Sequence, residues 1–408
     1  MKFSRRLSIR VSLLIAMIAV LTILSARHHA DTGSCGGQTT TLPFTDVMGS
    51  QFFCQIAEAF FSGLANGTSP TTYNPSGTVS RDQMAAFITR TQDSALRRGS
   101  KRAALQQFWT SLQGYDASAG NLGTTSVGSN PRLVQSDGTN LWVANNTSGT
   151  VAQIDASTGK VLGTWTGATG AFGVLVAMGR VFVTGDTSPG KLYMIDPSQP
   201  PGAVTEVTGS GLGVNPQGIG FDGLFILTAN FGTPGSVSII ESTSSIPWPV
   251  TNFTAGFSEP RGILFDGSNI WVTDFAANTL LKVDFGGNIL QTVNVGQGPS
   301  FPAFDGTNIW VPNSIDNSVT VVRASTGAVV ATLTGNGLNG PEQAAFDGQR
   351  ILVTNFQQDI VSLWKAADLT VIEPVRVSST NQTKPFGVCS DGAYFWITLN
   401  GAGKLARF

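Results

Sequence analysis

A repeat of about 40 residues recurs seven times from residue 121 to the C-terminal end and restricts the possible folds more than any other feature. The dipeptide Asp-Gly marks six of the seven units, and Met178-Gly179 takes its place in the second unit. Successive marks lie 39 to 44 residues apart, and they begin at Asp137, Met178, Asp222, Asp266, Asp305, Asp347 and Asp391. The chain is therefore predicted to use one structural unit seven times.

Three further features stand at fixed distances from this mark. Six residues before it is a proline in every unit but the second: Pro131, Phe172, Pro216, Pro260, Pro299, Pro341 and Pro385. Five residues after it is a large apolar residue: Trp142, Val183, Leu227, Trp271, Trp310, Leu352 and Trp396. Eight residues after it is a polar residue in all units but the last: Asn145, Asp186, Asn230, Asp274, Asn313, Asn355 and Leu399. Chance does not align these features, so the units are predicted to share one structure.

Each unit is predicted to contain four short strands. In the first unit these are residues 133–136, 141–144, 150–155 and 160–165, which are rich in strand-forming side chains. Asp137-Gly138 suits the tight turn between the first two strands, because both central residues can adopt positive φ. Four strands in about 42 residues are typical of a β-propeller blade.

The two ends of the repeat region predict how the ring closes. The last unit ends at Phe408 after only three strands, and residues 124–129 precede the first blade without belonging to it. This segment is predicted to supply the outer strand of the last blade, which removes exposed sheet edges. The predicted fold class is an all-β seven-bladed β-propeller with four-stranded blades, its N-terminal strand closing the last blade, and a small N-terminal α-helical module.

The first thirty residues are typical of an export signal rather than of a folded segment. An apolar run at 11–26 follows four basic residues: Lys2, Arg5, Arg6 and Arg10. The run is too short to span a bilayer comfortably. Residues 1–30 are therefore predicted to be a signal peptide, and an uncleaved anchor is the alternative. The predicted location is extracellular, cell-surface or periplasmic.

Composition agrees with export and excludes one class of partner. Charged residues make up 12% of the chain, and glycine occurs 48 times. Low charge and high glycine content suit an exported β-protein with many turns. The 24 Lys and Arg residues balance 25 Asp and Glu residues. Nucleic-acid binding through a broadly basic surface is therefore not expected.

Residues 31–92 are predicted to form a small module with two helices. Apolar residues of the first helix have helical spacing: Phe53, Ile56, Ala57, Phe60, Phe61 and Leu64. Ser80 and Gln83 form a capping-box pattern at the start of the second helix. Residues 93–120 are predicted to be a basic helical linker, and the propeller then occupies residues 121–408.

The module resembles an S-layer homology module. The resemblance rests on Phe44-Thr45-Asp46-Val47, on Tyr73-Asn74-Pro75 and on the run Thr78–Ala85. It implies non-covalent attachment to an envelope polysaccharide, with Arg81 at the position that helps to bind the acidic polymer. That family normally carries three copies and this sequence shows one, so an oligomerisation device or a folded spacer remain alternatives.

The three cysteines predict one disulfide at most. In an exported chain Cys35 and Cys54 could pair and fix the N-terminal segment to the first helix. Cys389 lies in an apolar strand pattern and is predicted to be a buried thiol. No Cys-x-x-Cys motif or Cys/His cluster occurs, so no metal site is predicted.

The repeat units resemble the YVTN/NHL-like propellers, a group that includes the streptogramin lyases. The motif Pro-x-Gly-Ile-x-Phe-Asp-Gly-x-x-Ile-Trp-Val-Thr carries the resemblance and runs from Pro260 to Thr273. The lyase mechanism, as the resemblance implies, requires histidine near bound magnesium and a glutamate. The only histidines here are His28 and His29, before the propeller, so lyase activity is not expected. A quinone-cofactor propeller, suggested by the turn Ser157–Lys160, normally has eight blades, and no cofactor is predicted.

The polar and tryptophan series have structural interpretations. The Asn/Asp series at the end of the second strands is predicted to cap turns, although a ring of polar ligands is the alternative. The tryptophans are predicted to pack between blades.

The residues immediately after the leading prolines are predicted to ring the channel mouth, where the innermost strands begin. These are Arg132, Gly173, Gln217, Arg261, Ser300, Glu342 and Phe386. The residue at this position differs between units, and in four of them it is a long hydrogen-bonding side chain: Arg132, Gln217, Arg261 and Glu342. Either they satisfy one another across a water-filled channel, or they bind a small acidic or polar ligand, since arginine can hold a carboxylate with two hydrogen bonds.

The sequence predicts an exported, envelope-associated propeller that acts as a non-catalytic binding scaffold. Its partner would be a protein, an envelope polysaccharide or a small polar ligand at the channel mouth. The alternative is a metal-assisted hydrolase or lyase that uses Asp, Glu or Arg instead of His. Because Glu342 is the only carboxylate among the seven mouth positions, binding is favoured and no catalytic residue is assigned.

Overall fold

A computed structural model of the chain describes residues 30–35, 38–61, 67–80, 84, 123–378 and 381–408. The chain divides into two compact units, Met1–Arg98 and Gly99–Phe408. Within the described ranges, no helix has the length and apolar character needed to cross a membrane.

The described part of the N-terminal unit contains a hairpin and one helix. Strands β1 (Thr32–Cys35) and β2 (Gln38–Thr41) pair antiparallel, and helix α1 (Phe53–Phe61) follows. Helix α1 agrees with the first predicted helix. The hairpin was not predicted, because its residues are polar and lack alternating apolar positions. The predicted second helix lies mostly outside the described residues, apart from helical Met84, so a two-helix module is not supported.

Two motifs of the N-terminal unit contact each other. The Asp46 carboxylate accepts hydrogen bonds from the backbone N–H groups of Tyr73 and Asn74, at 2.8 and 2.7 Å. The Phe44 ring is fully buried and lies 5.1 Å from the Phe60 ring and 5.3 Å from the Tyr73 ring, centroid to centroid. The Phe-Thr-Asp-Val and Tyr-Asn-Pro segments therefore form one packed cluster with α1.

The cysteines differ in state. Cys54 is disulfide-bonded and Cys389 is free. The side chain of Cys35, the predicted partner, lies outside the described part of the chain. Cys389 packs against the apolar cluster that includes Trp396 and Leu405, and burial raises the pKa of its thiol.

The described part of the second unit is an all-β propeller of seven four-stranded antiparallel blades, as predicted. Blade 1 contains β4 (Pro131–Ser136), β5 (Asn140–Asn145), β6 (Thr150–Asp155) and β7 (Val161–Thr166). Blade 2 contains β8 (Ala171–Ala177), β9 (Arg180–Gly185), β10 (Lys191–Ile195) and β11 (Thr205–Glu206). Blade 3 contains β12 (Pro216–Phe221), β13 (Ile226–Asn230), β14 (Ser236–Ile240) and β15 (Val250–Phe253).

The remaining four blades follow the same order. Blade 4 contains β16 (Pro260–Phe265), β17 (Ile270–Asp274), β18 (Thr279–Val283) and β19 (Ile289–Asn294). Blade 5 contains β20 (Ala303–Phe304), β21 (Asn308–Asn313), β22 (Ser318–Arg323) and β23 (Val329–Thr334). Blade 6 contains β24 (Pro341–Phe346), β25 (Arg350–Asn355), β26 (Ile360–Lys365) and β27 (Val371–Arg376). Blade 7 contains β28 (Pro385–Ser390), β29 (Phe395–Leu399), β30 (Lys404–Arg407) and β3 (Gly123–Ser126).

Strand β3 closes the ring. It pairs antiparallel with β30, so that Thr124 lies opposite Ala406. Beyond the strand, the Val127 N–H donates to the carbonyl of Gly403 at 3.0 Å. The Thr125 hydroxyl donates to the Gly159 carbonyl of blade 1 at 2.6 Å. The prediction that the segment before the first blade completes the last blade is therefore confirmed.

The alignment of the second unit differs from the prediction by one residue. Ala171 pairs with Gly185 as Pro131 pairs with Asn145, so Ala171 and not Phe172 occupies the position of the leading proline. Phe172 is consequently the mouth residue of this blade, and the prediction of Gly173 was wrong. The error arose because Met178-Gly179 was aligned with Asp-Gly, whereas the pairing of the strands places Ala177 at the Asp position.

The Asp-Gly mark and the tryptophan are joined by a hydrogen bond in four blades. The indole N–H donates to the Asp carboxylate at 2.7 to 2.9 Å in the pairs Asp137–Trp142, Asp266–Trp271, Asp305–Trp310 and Asp391–Trp396. These tryptophans are at most 1% exposed, which confirms their predicted packing role. Only the glycine of the turn has positive φ, 90° at Gly138, so the prediction of two positive φ angles was wrong. The Asp side chain stabilises the turn instead by accepting two backbone N–H groups, as Asp266 does from Ser268 and Asn269.

We expect Asp266→Asn to lower the free energy of unfolding by about 1–3 kcal/mol, since the new amide N–H₂ would face the buried indole N–H of Trp271 and leave it unsatisfied. Burial alone would raise the pKa of Asp266, but hydrogen bonds from Trp271, Asn269 and Ser268 lower it. The stability that ionised Asp266 contributes is therefore fully present above the unfolded-state pKa of about 3.9, and it is lost as the pH falls through the lower pKa of the folded state. Urea unfolding at pH 7 and in acid measures both effects.

The control is Asp284→Asn, because Asp284 accepts backbone N–H groups in an exposed turn without a tryptophan. We expect a smaller effect there. Equal losses in the two variants would show that the indole hydrogen bond does not stabilise the blade.

Candidate functional site

The structure brings three of the channel-mouth residues into one polar cluster. Arg261 Nη2 and Glu342 Oε2 form an ion pair at 3.0 Å. The Ser300 hydroxyl donates to the same carboxylate oxygen at 2.8 Å. The side chains of Arg261 and Glu342 are only 13% and 10% exposed, so solvent screens this pair weakly.

Aromatic rings fill the hub beside this cluster. Phe172, Phe301 and Phe386 contact one another with centroids 5.7 to 6.0 Å apart, and each is at most 3% exposed. They form one buried apolar cluster with Leu133. Apolar rings rather than water therefore occupy this level of the hub, whereas Arg261 and Glu342 satisfy each other, as the first of the two alternatives predicted. Phe301 lies outside the aligned mouth positions and Phe172 was misaligned, so the sequence did not reveal the cluster.

Arg132 lies between two of these rings, and none of the described carboxylates forms an ion pair with it. Its guanidinium carbon is 5.0 Å from the Phe172 ring centroid and 4.8 Å from that of Phe386. Nε is buried without a partner, and within the described ranges no hydrogen bond or ion pair reaches the guanidinium. Burial and the positive charge of Arg261 lower the pKa of Arg132, and Glu342 and Asp186 act in the opposite direction.

Arg261 provides an internal comparison with Arg132. It lies 5.2 to 5.8 Å from the ring centroids of Phe231, Phe275 and Phe301, so it is also packed on aromatic faces. Unlike Arg132, it has Glu342 as a counter-ion. Gln217, the fourth predicted polar mouth residue, is buried, and its Oε1 has no partner. Among the described residues, the mouth therefore retains one arginine without an ion-pair partner, Arg132, and two further buried atoms without a hydrogen-bond partner, Gln217 Oε1 and Arg261 Nε.

Threonine hydroxyls hold the mouth backbone in place across neighbouring blades. Each donates to the carbonyl of a mouth residue in the next blade: Thr184 to Gln217, Thr273 to Ser300, Thr354 to Phe386 and Thr398 to Arg132, at 2.6 to 3.3 Å. Each also accepts an N–H group from the innermost strand of its own blade. The Ile-Trp-Val-Thr motif contained this signal, but sequence reasoning assigned its threonine no role.

The Asn/Asp series is occupied by structural hydrogen bonds. The Asn230 amide donates to the hydroxyls of Ser236 and Ser238, at 3.0 and 2.7 Å. Asp274 accepts the N–H groups of Ser258 and Glu259. Both side chains therefore have structural partners, and Asp274 also caps its own turn by accepting the Ala277 N–H at 3.1 Å. Within the described ranges, no three His, Cys, Asp or Glu side chains are grouped to hold a metal ion. Arg81 lies outside the described residues.

A second ring of residues lies on the same side of the propeller as the mouth. Each follows the second strand of its blade: Asn146, Asp186, Phe231, Phe275, Ser314, Phe356 and Asn400. Each donates its backbone N–H to the carbonyl of the residue just before the leading position, as Phe356 does to Gly340 at 2.9 Å. We call these seven residues the rim. The phenyl ring of the rim residue Phe356 contacts the phenyl ring of the mouth residue Phe386 edge to face, with the two centroids 5.8 Å apart.

Comparison with known proteins identifies the fold class. No protein-family model matches the chain. No curated protein matches it. The solved structure of virginiamycin B lyase from Staphylococcus aureus is similar, with 17% identity, a TM-score of 0.59, and coverage of 70% of this chain and 98% of that one. The chain therefore has a seven-bladed propeller fold similar to that of the streptogramin lyases.

Two further solved structures agree with this fold. A catalytically inactive histidine-to-alanine variant of the S. aureus lyase with quinupristin has 17% identity, a TM-score of 0.55, and coverage of 70% of this chain and 95% of that one. Hydrazine synthase of Kuenenia stuttgartiensis has 17% identity, a TM-score of 0.58, and coverage of 70% and 96%. At this level of identity the similarity shows the fold alone.

Proposed function

We propose that the protein is a non-catalytic binding propeller that takes a small carboxylate at the channel mouth. The observation that supports this proposal is the environment of Arg132, a partly buried guanidinium that is stacked on two rings and has no ion-pair partner among the described residues. Charges removed from water are normally paired in proteins. A carboxylate on the free guanidinium would complete the arrangement that Glu342 already provides for Arg261.

Two observations favour binding over catalysis at this site. The mouth carboxylate of Glu342 is occupied by Arg261 and Ser300, so it is not free to act as a base. The propeller also contains no histidine, which is the usual group for proton transfer near neutral pH. The metal-assisted hydrolase or lyase has no comparable supporting observation among the described residues.

We also propose that the protein is exported and associates with the cell envelope. The supporting observations are the signal-like residues 1–30 and the resemblance of the N-terminal module to S-layer homology modules, including Arg81. The contacts of Asp46 and Phe44 with the Tyr-Asn-Pro segment agree with a folded module. Its partner would be an envelope polysaccharide.

We expect Arg132→Gln to weaken acetate binding about tenfold or more, because a charge-assisted pair is replaced by a neutral contact. Titration calorimetry of the whole protein with sodium acetate, against sodium chloride at equal ionic strength, measures the difference. The control is Arg180→Gln, since Arg180 pairs with Asp196 at the surface. Unchanged acetate affinity in Arg132→Gln would contradict the proposal.

A further inference from the structure

A cleft of about 400 Å³ lies between blades 6 and 7 next to the rim residue Phe356. Its volume is within the range of small-molecule sites, roughly 300–1,000 Å³. Its walls carry one aromatic ring, four amides, one ammonium and one carboxylate: Phe356, Gln357, Gln358, Asn381, Gln382, Lys384 and Asp359.

The amide groups of this cleft are available to a ligand. Gln357, Gln358 and Gln382 are exposed, and within the described ranges their side chains have no hydrogen-bond partner. Each amide offers both a donor and an acceptor, which matches the hydroxyl groups of a sugar. Asn381 is engaged, because its Oδ1 accepts a hydrogen bond from Arg376 at 2.6 Å.

The aromatic ring of the cleft is partly exposed and lies below a cation. Lys384 Nζ is 5.4 Å from the Phe356 ring centroid. A flat aromatic face can cover the apolar face of a pyranose ring. Phe356 and the surrounding amides therefore provide the two kinds of contact that a saccharide needs.

The charges of the cleft limit where an acidic group can lie. Asp359 accepts the N–H groups of Gln382 and Thr383 and the Thr383 hydroxyl, at 2.6 to 2.9 Å. Burial alone would raise the pKa of Asp359, but these hydrogen bonds lower it, so it stays negative. A neutral part of the ligand is expected beside Asp359, and the acidic part is expected toward Arg132.

The cleft and the unpaired cation are connected through one phenyl ring. Phe356 contacts Phe386 at 5.8 Å, and Phe386 lies against the Arg132 guanidinium at 4.8 Å. Phe386 itself is buried, and these two distances place the Phe356 ring centroid no more than about 11 Å from the Arg132 guanidinium carbon.

We propose that the ligand is a saccharide of the uronic-acid type. Its carboxylate binds Arg132, its pyranose ring covers Phe356, and its hydroxyls meet the free amides of the cleft. This inference rests on the proposed function and specifies the chemical class of its ligand.

The test compares three probes on the whole protein by titration calorimetry: galacturonate, acetate and galactose. Galacturonate carries both the carboxylate and the pyranose ring, whereas acetate and galactose each carry one of them. We expect galacturonate to bind about tenfold more tightly than either of the others.

Two variants and a matched control locate the contacts. Phe356→Leu should weaken galacturonate about tenfold and leave acetate unchanged, which also shows that the variant is folded. Arg132→Gln should reduce galacturonate affinity to that of galactose. The control is Phe231→Leu, which changes the same rim position in blade 3, beside Arg261, and should alter galacturonate affinity less than twofold.

The outcomes separate the two proposals. If acetate binds through Arg132 but galacturonate binds no better, or if Phe356→Leu binds galacturonate as well as the wild type, the saccharide proposal is overturned and carboxylate binding stands. If neither acetate nor galacturonate binds, the proposed function itself fails.

Discussion

A chain that begins at residue 128 should be less stable than a chain that begins at residue 122 by on the order of 5 kcal/mol. The shorter chain lacks β3 (Gly123–Ser126) and its ladder with β30. It also lacks the buried side chain of Val127, which packs in the cluster of Leu405. Stability of whole domains is typically about 5–15 kcal/mol, so this loss is large.

Urea unfolding and size-exclusion chromatography measure this effect. The shorter chain should unfold at a lower urea concentration. It should also form oligomers, because β30 would become an open sheet edge. The chain that begins at residue 122 is the matched control, since it lacks the N-terminal unit but keeps β3. If both chains unfold at the same urea concentration, the closing strand does not stabilise the ring.

Replacing Arg261 with Met should lower the free energy of unfolding by about 3–5 kcal/mol, because it leaves the Glu342 carboxylate buried without its partner. The double variant Arg261→Met/Glu342→Met should recover most of this loss, since apolar side chains of similar volume can replace a buried pair. The surrounding rings of Phe275 and Phe301 provide an apolar environment for methionine.

The surface pair Arg180–Asp196 is the control for this second experiment. Its side chains are much more exposed, so Arg180→Met should cost less than about 1 kcal/mol. The interpretation of the hub as a desolvated ion pair would be wrong if Arg261→Met were as mild as Arg180→Met, or if the double variant were no more stable than the single one.

The sequence was sufficient for the fold because the propeller is built from local signals that recur. Each Asp-Gly mark defines a turn. Where a tryptophan stands five residues after the Asp, its indole can form a hydrogen bond with the Asp side chain, as between Asp266 and Trp271. Strand number, blade number and closure by β3 followed from these spacings. The alignment of blade 2 failed because Ala177 stands at the Asp position, and the following Met178-Gly179 was aligned with Asp-Gly in its place.

The candidate site was only partly predictable, because its arrangement depends on contacts between distant blades. The positions of Arg132, Gln217, Arg261 and Glu342 at the mouth followed from the repeat. Which arginine is paired did not, since Arg261 and Glu342 lie in blades 4 and 6. The aromatic packing around Arg132 depends on Phe172, whose place in the repeat was masked by the irregular turn of blade 2.

The position of the closing strand has a mechanical consequence. Strand β3 is the first described element of the second unit, and it follows the first unit along the chain. Any pulling force on a tethered N-terminal unit would be transmitted along the chain to β3 before it reached another strand of the ring. The pairing of β3 with β30 would therefore be the first part of the ring to carry the force. The other six blades would unfold only after β3 had separated from β30.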